Sequence, residues 1–202
     1  MSRYTWLLDP GHGGIIDGVY QTAGKRSPAF PDGSVLYEGE FNRAVAKEVV
    51  NLCESFGVSV INLVDTEEDM PLRQRVSKAN LIHQEKGNCI YVSVHSNAFG
   101  NGKDFNSAKG TLCFHHYKSN TGKRLAECLQ KHLSDLRDRG VRGNDTWANF
   151  YVLRKTNMPA VLSENGFMTN YDDALALMDP RVRRNIALAH YSMIQEIEED
   201  GI

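Results

Sequence analysis

The chain predicts an α/β protein with a mostly parallel sheet and helices packed on it. Three observations carry that expectation. Short apolar or β-branched runs alternate with longer segments whose apolar residues recur at helical spacing. Glycine and proline punctuate the joints between them. No repeat, low-complexity tract or linker divides the 202 residues, so residues 1–202 read as one domain.

The elements follow in order. Residues 4–9 form an apolar run stopped by Pro10 and Gly11, a buried strand. Residues 10–38 are rich in Gly, Pro and Ser and lack periodicity, which predicts a loop long enough to imply a function. Phe41, Val45, Val49, Leu52 and Phe56 mark a helix ended by Gly57. Residues 58–64, rich in Val and Ile, predict a strand. Pro71 opens a helix carrying Leu72, Val76, Ala79, Leu81 and Ile82, and Gly87 closes it. Residues 89–95 predict a central strand, 97–109 a polar loop and 111–115 a fourth strand. Leu125, Cys128, Leu129, His132, Leu133 and Leu136 mark a third helix, with a loop over 138–149. Short strands are expected at 150–153 and 160–163. Pro180 opens a last helix with Val182, Ile186, Ala189, Met193 and Ile197 on one side, and the charged tail 198–202 is expected to fray.

Composition narrows the function classes. The chain is 41% hydrophobic and 24% charged, as in an ordinary soluble globular protein, and its net charge is -2. That gives no bulk electrostatic case for binding nucleic acid or an anionic membrane. No run approaches the length of a membrane span, so stable membrane insertion is not expected. The start, Met1 to Asp9, lacks the apolar core and cleavage site of a signal peptide. Cys53, Cys89, Cys113 and Cys128 have neither zinc-finger spacing nor a disulfide-scaffold density, and read as buried apolar side chains.

Position on the sheet selects the chemical candidates. In open α/β sheets, ligands bind beyond the carboxyl ends of the strands. His12 lies just past the first strand, His95 ends the third, and Glu164 follows the strand over 160–163. Glu38 sits at the mouth of the first helix, after the long loop, and could swing to the same edge. Each has a bland alternative. His12, flanked by Gly11, Gly13 and Gly14, suits a turn as well as a metal. His95 suits a satisfied half-buried histidine, Glu38 a carboxylate complementing the helix dipole, and Glu164 a paired or solvated charge. A serine nucleophile lacks the G-x-S-x-G elbow, and no H-E-x-x-H pattern occurs. His115 and His116 are weaker additional ligands. His83, His132 and His190 lie on helices as surface or packed residues.

Two histidines and a carboxylate around zinc leave a position for water, whose pKa falls to about 7. A further carboxylate then takes the proton and delivers it to a leaving amine. The sequence supplies one candidate for each part of an amide hydrolysis.

The constellation has a known likeness. Asp9-Pro10-Gly11-His12-Gly13-Gly14 comes first, then Glu38 with Asn42, then Ser93-Val94-His95-Ser96-Asn97-Ala98, then Pro159 to Asn170 including Ser163-Glu164-Asn165-Gly166. Together with Arg75 and Ala79-Asn80, these resemble the zinc-dependent N-acetylmuramoyl-L-alanine amidases of the type 3 family, over about residues 4–197. The resemblance implies a single twisted, mostly parallel sheet of about six strands flanked by helices. It implies zinc ligands at His12, Glu38 and His95, and a catalytic glutamate at Glu164. The implied reaction is hydrolysis of the amide between N-acetylmuramic acid and L-alanine in peptidoglycan or a muropeptide, at the cell wall; the chain is separately expected to be a monomer. A phage endolysin domain, a trimmed secreted enzyme and a protein produced in the cytoplasm all fit. Ile15 to Leu36 has no close counterpart in the family, and residues 100–107 are too short for the helical insertion that blocks some members. Asn97, Arg154 and Asn170 are the candidate substrate contacts, and Trp147 and Tyr151 could line a glycan groove. A zinc peptidase or deacylase on another amide, or a wall-binding module without turnover, are the alternatives.

Overall fold

The computed structural model describes residues 2–135 and 147–202. Leu136 and most of the loop expected at 138–149 lie outside the described residues.

Among the described residues, five strands form one sheet in the order β4-β1-β5-β7-β6. These are β1 (Thr5–Pro10), β4 (Val60–Asn62), β5 (Cys89–Asn97), β6 (Leu112–Phe114) and β7 (Ala160–Phe167). β4, β1, β5 and β7 run parallel, and β6 closes one edge antiparallel to β7. β2 (Ile15–Ile16) and β3 (Val19–Tyr20) make a separate hairpin inside the stretch expected to be loop. Asp17 and Gly18 turn it, at φ 49 and φ 79, as an Asp-Gly pair favours between two short strands.

The helices are α1 (Glu38–Ser55), α2 (Leu72–Lys86), α3 (Asn120–Asp135), α4 (Tyr151–Lys155), α5 (Tyr171–Met178) and α6 (Pro180–Asp200). Alternation along the strands divides the core in two. Trp6, Leu8, Ile90, Val92, Val94 and Val161 face α1, α3 and α6. Leu7, Tyr91, Ala160 and Leu162 face α2 and α4. Full burial of a Leu, Ile or Val side chain contributes about 1.5–3 kcal/mol, so each face contributes several times the stability of any single hydrogen bond.

Three expectations need correction. Residues 150–153 begin a helix, α4, rather than a strand. Val152 and Leu153 are both buried against the α2 side, and one helical turn buries two successive residues on one side where a strand would send them to opposite faces. β7 runs past Ser163 through Glu164 to Phe167, so Glu164 sits within a strand. The tail is anchored rather than frayed: α6 continues to Asp200, and Glu198 accepts hydrogen bonds from Ser2 Oγ (2.9 Å), Tyr4 N (3.2 Å) and Trp6 Nε1 (2.8 Å). α5 was not expected. Asn170 caps it, with Oδ1 accepting from Asp173 N at 3.1 Å.

Candidate metal centre

The carboxyl ends of β1, β5 and β7 meet on one rim of the sheet. β1 delivers His12 through Gly11, whose compactness the site requires. A Cβ on Gly11 would lie 2.0 Å from His95 Cε1, inside the imidazole's own space. His12 adopts a positive φ of 66, unusual for a residue with a Cβ. Its carbonyl is held in that turn by Arg43 Nη1 (2.7 Å) and Arg75 Nη2 (3.1 Å). Arg75 is buried and also donates to Asp9 Oδ1 (2.6 Å), Pro10 O (2.6 Å) and Met70 O (2.7 Å).

α1 brings Glu38. Gly39 lets its first turn abut the preceding loop, since a Cβ there would meet Gly13 O at 1.8 Å. Asn42, one helical turn on, donates to Gly11 O at 3.0 Å and ties α1 to the end of β1. Glu38 N donates to Lys25 O at 3.0 Å. β5 and β7 pair His95 opposite Glu164, and the buried Asn165 amide donates to His95 O at 2.9 Å.

These connections bring three of the predicted residues to one point. His12 Nε2 lies 3.2 Å and His95 Nδ1 3.0 Å from the same Glu38 oxygen, Oε1. The two rings stand edge to face with centroids 5.1 Å apart. One donor atom from each of His12, Glu38 and His95 lies within 4.8 Å of the others. Donors around tetrahedral zinc are separated by roughly 3.3–3.5 Å, given bonds of about 2.0–2.2 Å. The set therefore suits a small divalent cation after modest side-chain rotation. Glu38 Oε2 is buried without a hydrogen-bond partner, a costly state for a carboxylate that a cation relieves.

Electrostatics separate the two glutamates. Burial pushes the Glu38 pKa up, but hydrogen bonds from the His12 and His95 rings outweigh it and hold the carboxyl well below the usual range. Burial disfavours the His95 cation, yet the Glu38 hydrogen bond and charge outweigh that and raise its pKa. Glu164 goes the other way. Burial pushes it up to about 8, against the opposing pull of His95, and its Oε2 is buried without a partner. Glu38 is thus held as an anion and Glu164 as a group that takes up a proton readily.

A cleft of about 690 Å³ opens over these four residues, lined also by Lys25, Leu72, Asn97, Tyr151 and Met168. Asn97 and Tyr151 are therefore at the site. Arg154 lines a separate cavity with Lys118 and Asn157, and its guanidinium lies 5.8 Å from the Tyr151 ring centroid. Asn170 is occupied structurally: besides capping α5 it donates to Asn106 O at 2.9 Å. Trp147 is 52% exposed and 6.1 Å from the Tyr117 ring. His115 is buried with its Nδ1 2.9 Å from His116 O. His190 is packed between Ser163 Oγ and Ile186 O. Lys25 was not singled out from the sequence. It lies in the irregular stretch before α1, and only its charge marked it there.

Known proteins resemble this chain in sequence and in fold. It is 34% identical to an uncharacterized cell wall amidase of Bacillus anthracis over 96% of this chain and 35% of that protein. It is 32% identical to the endolysin of Bacillus phage SPP1 over 98% of this chain and 66% of that protein, and 32% identical to YqiI of Bacillus subtilis over 84% of this chain and 73% of that protein. The chain thus spans about a third of the B. anthracis relative's length. The structure of an N-acetylmuramoyl-L-alanine amidase from Clostridium difficile 630 superposes with a TM-score of 0.81 at 25% identity, covering 100% of both chains. The family model described as N-acetylmuramoyl-L-alanine amidase matches residues 7–196, from within β1 to within α6, and the chain belongs to that family.

Proposed function

We propose that this chain hydrolyses the amide between N-acetylmuramic acid and L-alanine in peptidoglycan, with zinc held by His12, Glu38 and His95. The observation that carries the reading is the meeting of two imidazoles on one buried carboxylate oxygen, at 3.2 and 3.0 Å, beside a second buried carboxyl at Glu164. Binding alone needs no such arrangement, which disfavours a wall-binding module without turnover.

When bound, zinc supplies a Lewis acid for the scissile carbonyl and acidifies water at the same point. The chain's own residues do the rest. Without the ion, Glu38 meets both rings through one oxygen, contacts that the cation would replace, and Asn42, Arg43 and Arg75 fix the turn that presents His12. Glu164 takes the proton from the attacking water and returns it to the departing L-alanine amine. Asn97 and Tyr151, on the cleft wall, contact the muropeptide. The product is a free stem peptide, and the place of action is the cell wall.

The same site chemistry serves a peptidase or deacylase, so the products decide. Purified protein incubated with cell wall should release peptides bearing new L-alanine amino ends, lose that activity on chelation and regain it with zinc. Glu164→Gln should retain the metal and lose nearly all turnover. Zinc-dependent cleavage at a different amide, or E164Q at the wild-type rate, overturns the reading. Sedimentation of a single species at 22.7 kDa is the expected result for a monomer.

A further inference from the structure

α3 and α6 pack against one another on the α1 side of the sheet. Cys128 and His132, four residues apart on α3, project from one helix face, and Glu196 of α6 meets them. His132 Nε2 lies 2.9 Å from Glu196 Oε2, and the Cys128 thiol lies beside the same pair. One donor atom from each of the three falls within 4.8 Å of the others. A zinc ion bonded to sulfur at about 2.3 Å and to nitrogen and oxygen at about 2.0–2.2 Å needs donors roughly 3.3–3.8 Å apart, so small side-chain rotations suffice. The group is also reachable: His132 is 21% and Glu196 35% exposed. It is remote from the cleft. Glu198, two residues beyond Glu196, holds Trp6 and the start of β1, whereas His12 follows the end of that strand.

We propose that Cys128, His132 and Glu196 form a second cation site, for zinc or another thiophilic divalent ion, with water completing the coordination. Thiolate, imidazole and carboxylate together favour such an ion over magnesium or calcium, which prefer oxygen alone. On binding, the metal–sulfur bond forms as the thiol proton passes to solvent, and no electron is transferred. Glu196 exchanges its contacts with His132 and Lys131 for the cation. Lys131, whose Nζ lies 3.2 Å from Glu196 Oε2 and which is 61% exposed, turns outward. The ion then clamps α3 to α6.

Cobalt titration of the chelator-stripped full chain tests this. The His12, Glu38 and His95 set holds no sulfur, so a near-ultraviolet thiolate-to-cobalt charge-transfer band reports only on the second site. The band should saturate at one thiolate-bound cobalt per chain and be displaced by zinc. Cys128→Ser should abolish it while far-ultraviolet circular dichroism and zinc-supported amidase turnover persist. His132→Gln should weaken the titration by about tenfold or more. Absence of the band in the wild type, or its persistence in C128S, overturns the proposal. If C128S does not fold, an unchanged titration in H132Q overturns it equally. Amidase turnover is scored separately, so failure of this site and failure of the amidase reading are told apart.

Discussion

Arg75→Met isolates the support beneath the site from the site itself. In the wild type, Arg75 Nη1 pairs with Asp9 Oδ1 at 2.6 Å, with both side chains almost wholly buried. Asp9 Oδ2 accepts from Tyr91 OH at 2.5 Å and Ser93 Oγ at 2.9 Å. Methionine fills most of the volume but leaves Asp9 in the core with two hydroxyl donors and no cation. It also strips a donor from Pro10 O, Met70 O and His12 O, of which only His12 O keeps another arginine, Arg43. Breaking one side of a buried ion pair costs about 3–5 kcal/mol. At about 2–4 °C per kcal/mol for a domain of this size, the melting temperature should fall by roughly 6–20 °C. The assay is thermal and urea unfolding of chelator-treated protein, so that ligand-linked stabilisation does not contribute. Asp9→Asn added to R75M should restore part of the loss, because the uncompensated charge is then gone. A shift below about 2 °C in R75M, or no recovery in the double variant, would refute the assignment of Arg75 and Asp9 as a buried charge pair.

Two further outcomes follow from the geometry. Gly11→Ala places a methyl 2.0 Å from His95 Cε1, so zinc affinity should fall by about 10–100-fold while circular dichroism is retained; wild-type zinc affinity by calorimetry would contradict it. Glu164 provides a pH signature in the metal-free protein. Its folded pKa of about 8 exceeds the ordinary carboxyl value of 4.5, so between those values the folded state binds more protons than the unfolded one and stability falls as pH rises. Glu164→Gln removes that loss: the chelated variant should be more stable than the wild type at pH 8 and match it near pH 4. Parallel stability–pH curves for the two proteins would contradict the burial of this carboxyl.

Much of the site was legible because its residues break apolar runs near the carboxyl ends of strands. Gly11 and Gly13 flank His12 just past β1, His95 lies near the end of β5, and Glu164 follows the apolar run of β7. Glu38 was different. A carboxylate in a first helical turn has an ordinary electrostatic reason to be there, and only the resemblance made it a ligand. The structure supplies the physical distinction, since Glu38 is buried against both rings. Asn170 has a structural role that its position in the sequence did not announce. Its place near the rim suggested substrate, whereas Asn is also the ordinary residue to cap a helix such as α5, whose eight residues were too few for periodicity to reveal. α4 was lost for the same reason: five residues carrying Tyr and Val read as strand. The hairpin at Ile15 to Tyr20 was readable from Asp17-Gly18, but its two-residue strands gave no alternation to support it. The anchoring of the tail depends on Glu198 meeting residues 2–6, a contact no local pattern encodes.

The central claim is that His12, Glu38 and His95 jointly hold one zinc ion beside Glu164. Anomalous diffraction at the zinc edge, on crystals of zinc-loaded protein, tests it most directly. The account predicts a peak bonded to His12 Nε2, His95 Nδ1 and a Glu38 oxygen at about 2.0–2.2 Å, with Glu164 alongside and not bonded to the ion. A peak that omits Glu38, or none between the two imidazoles, would contradict it.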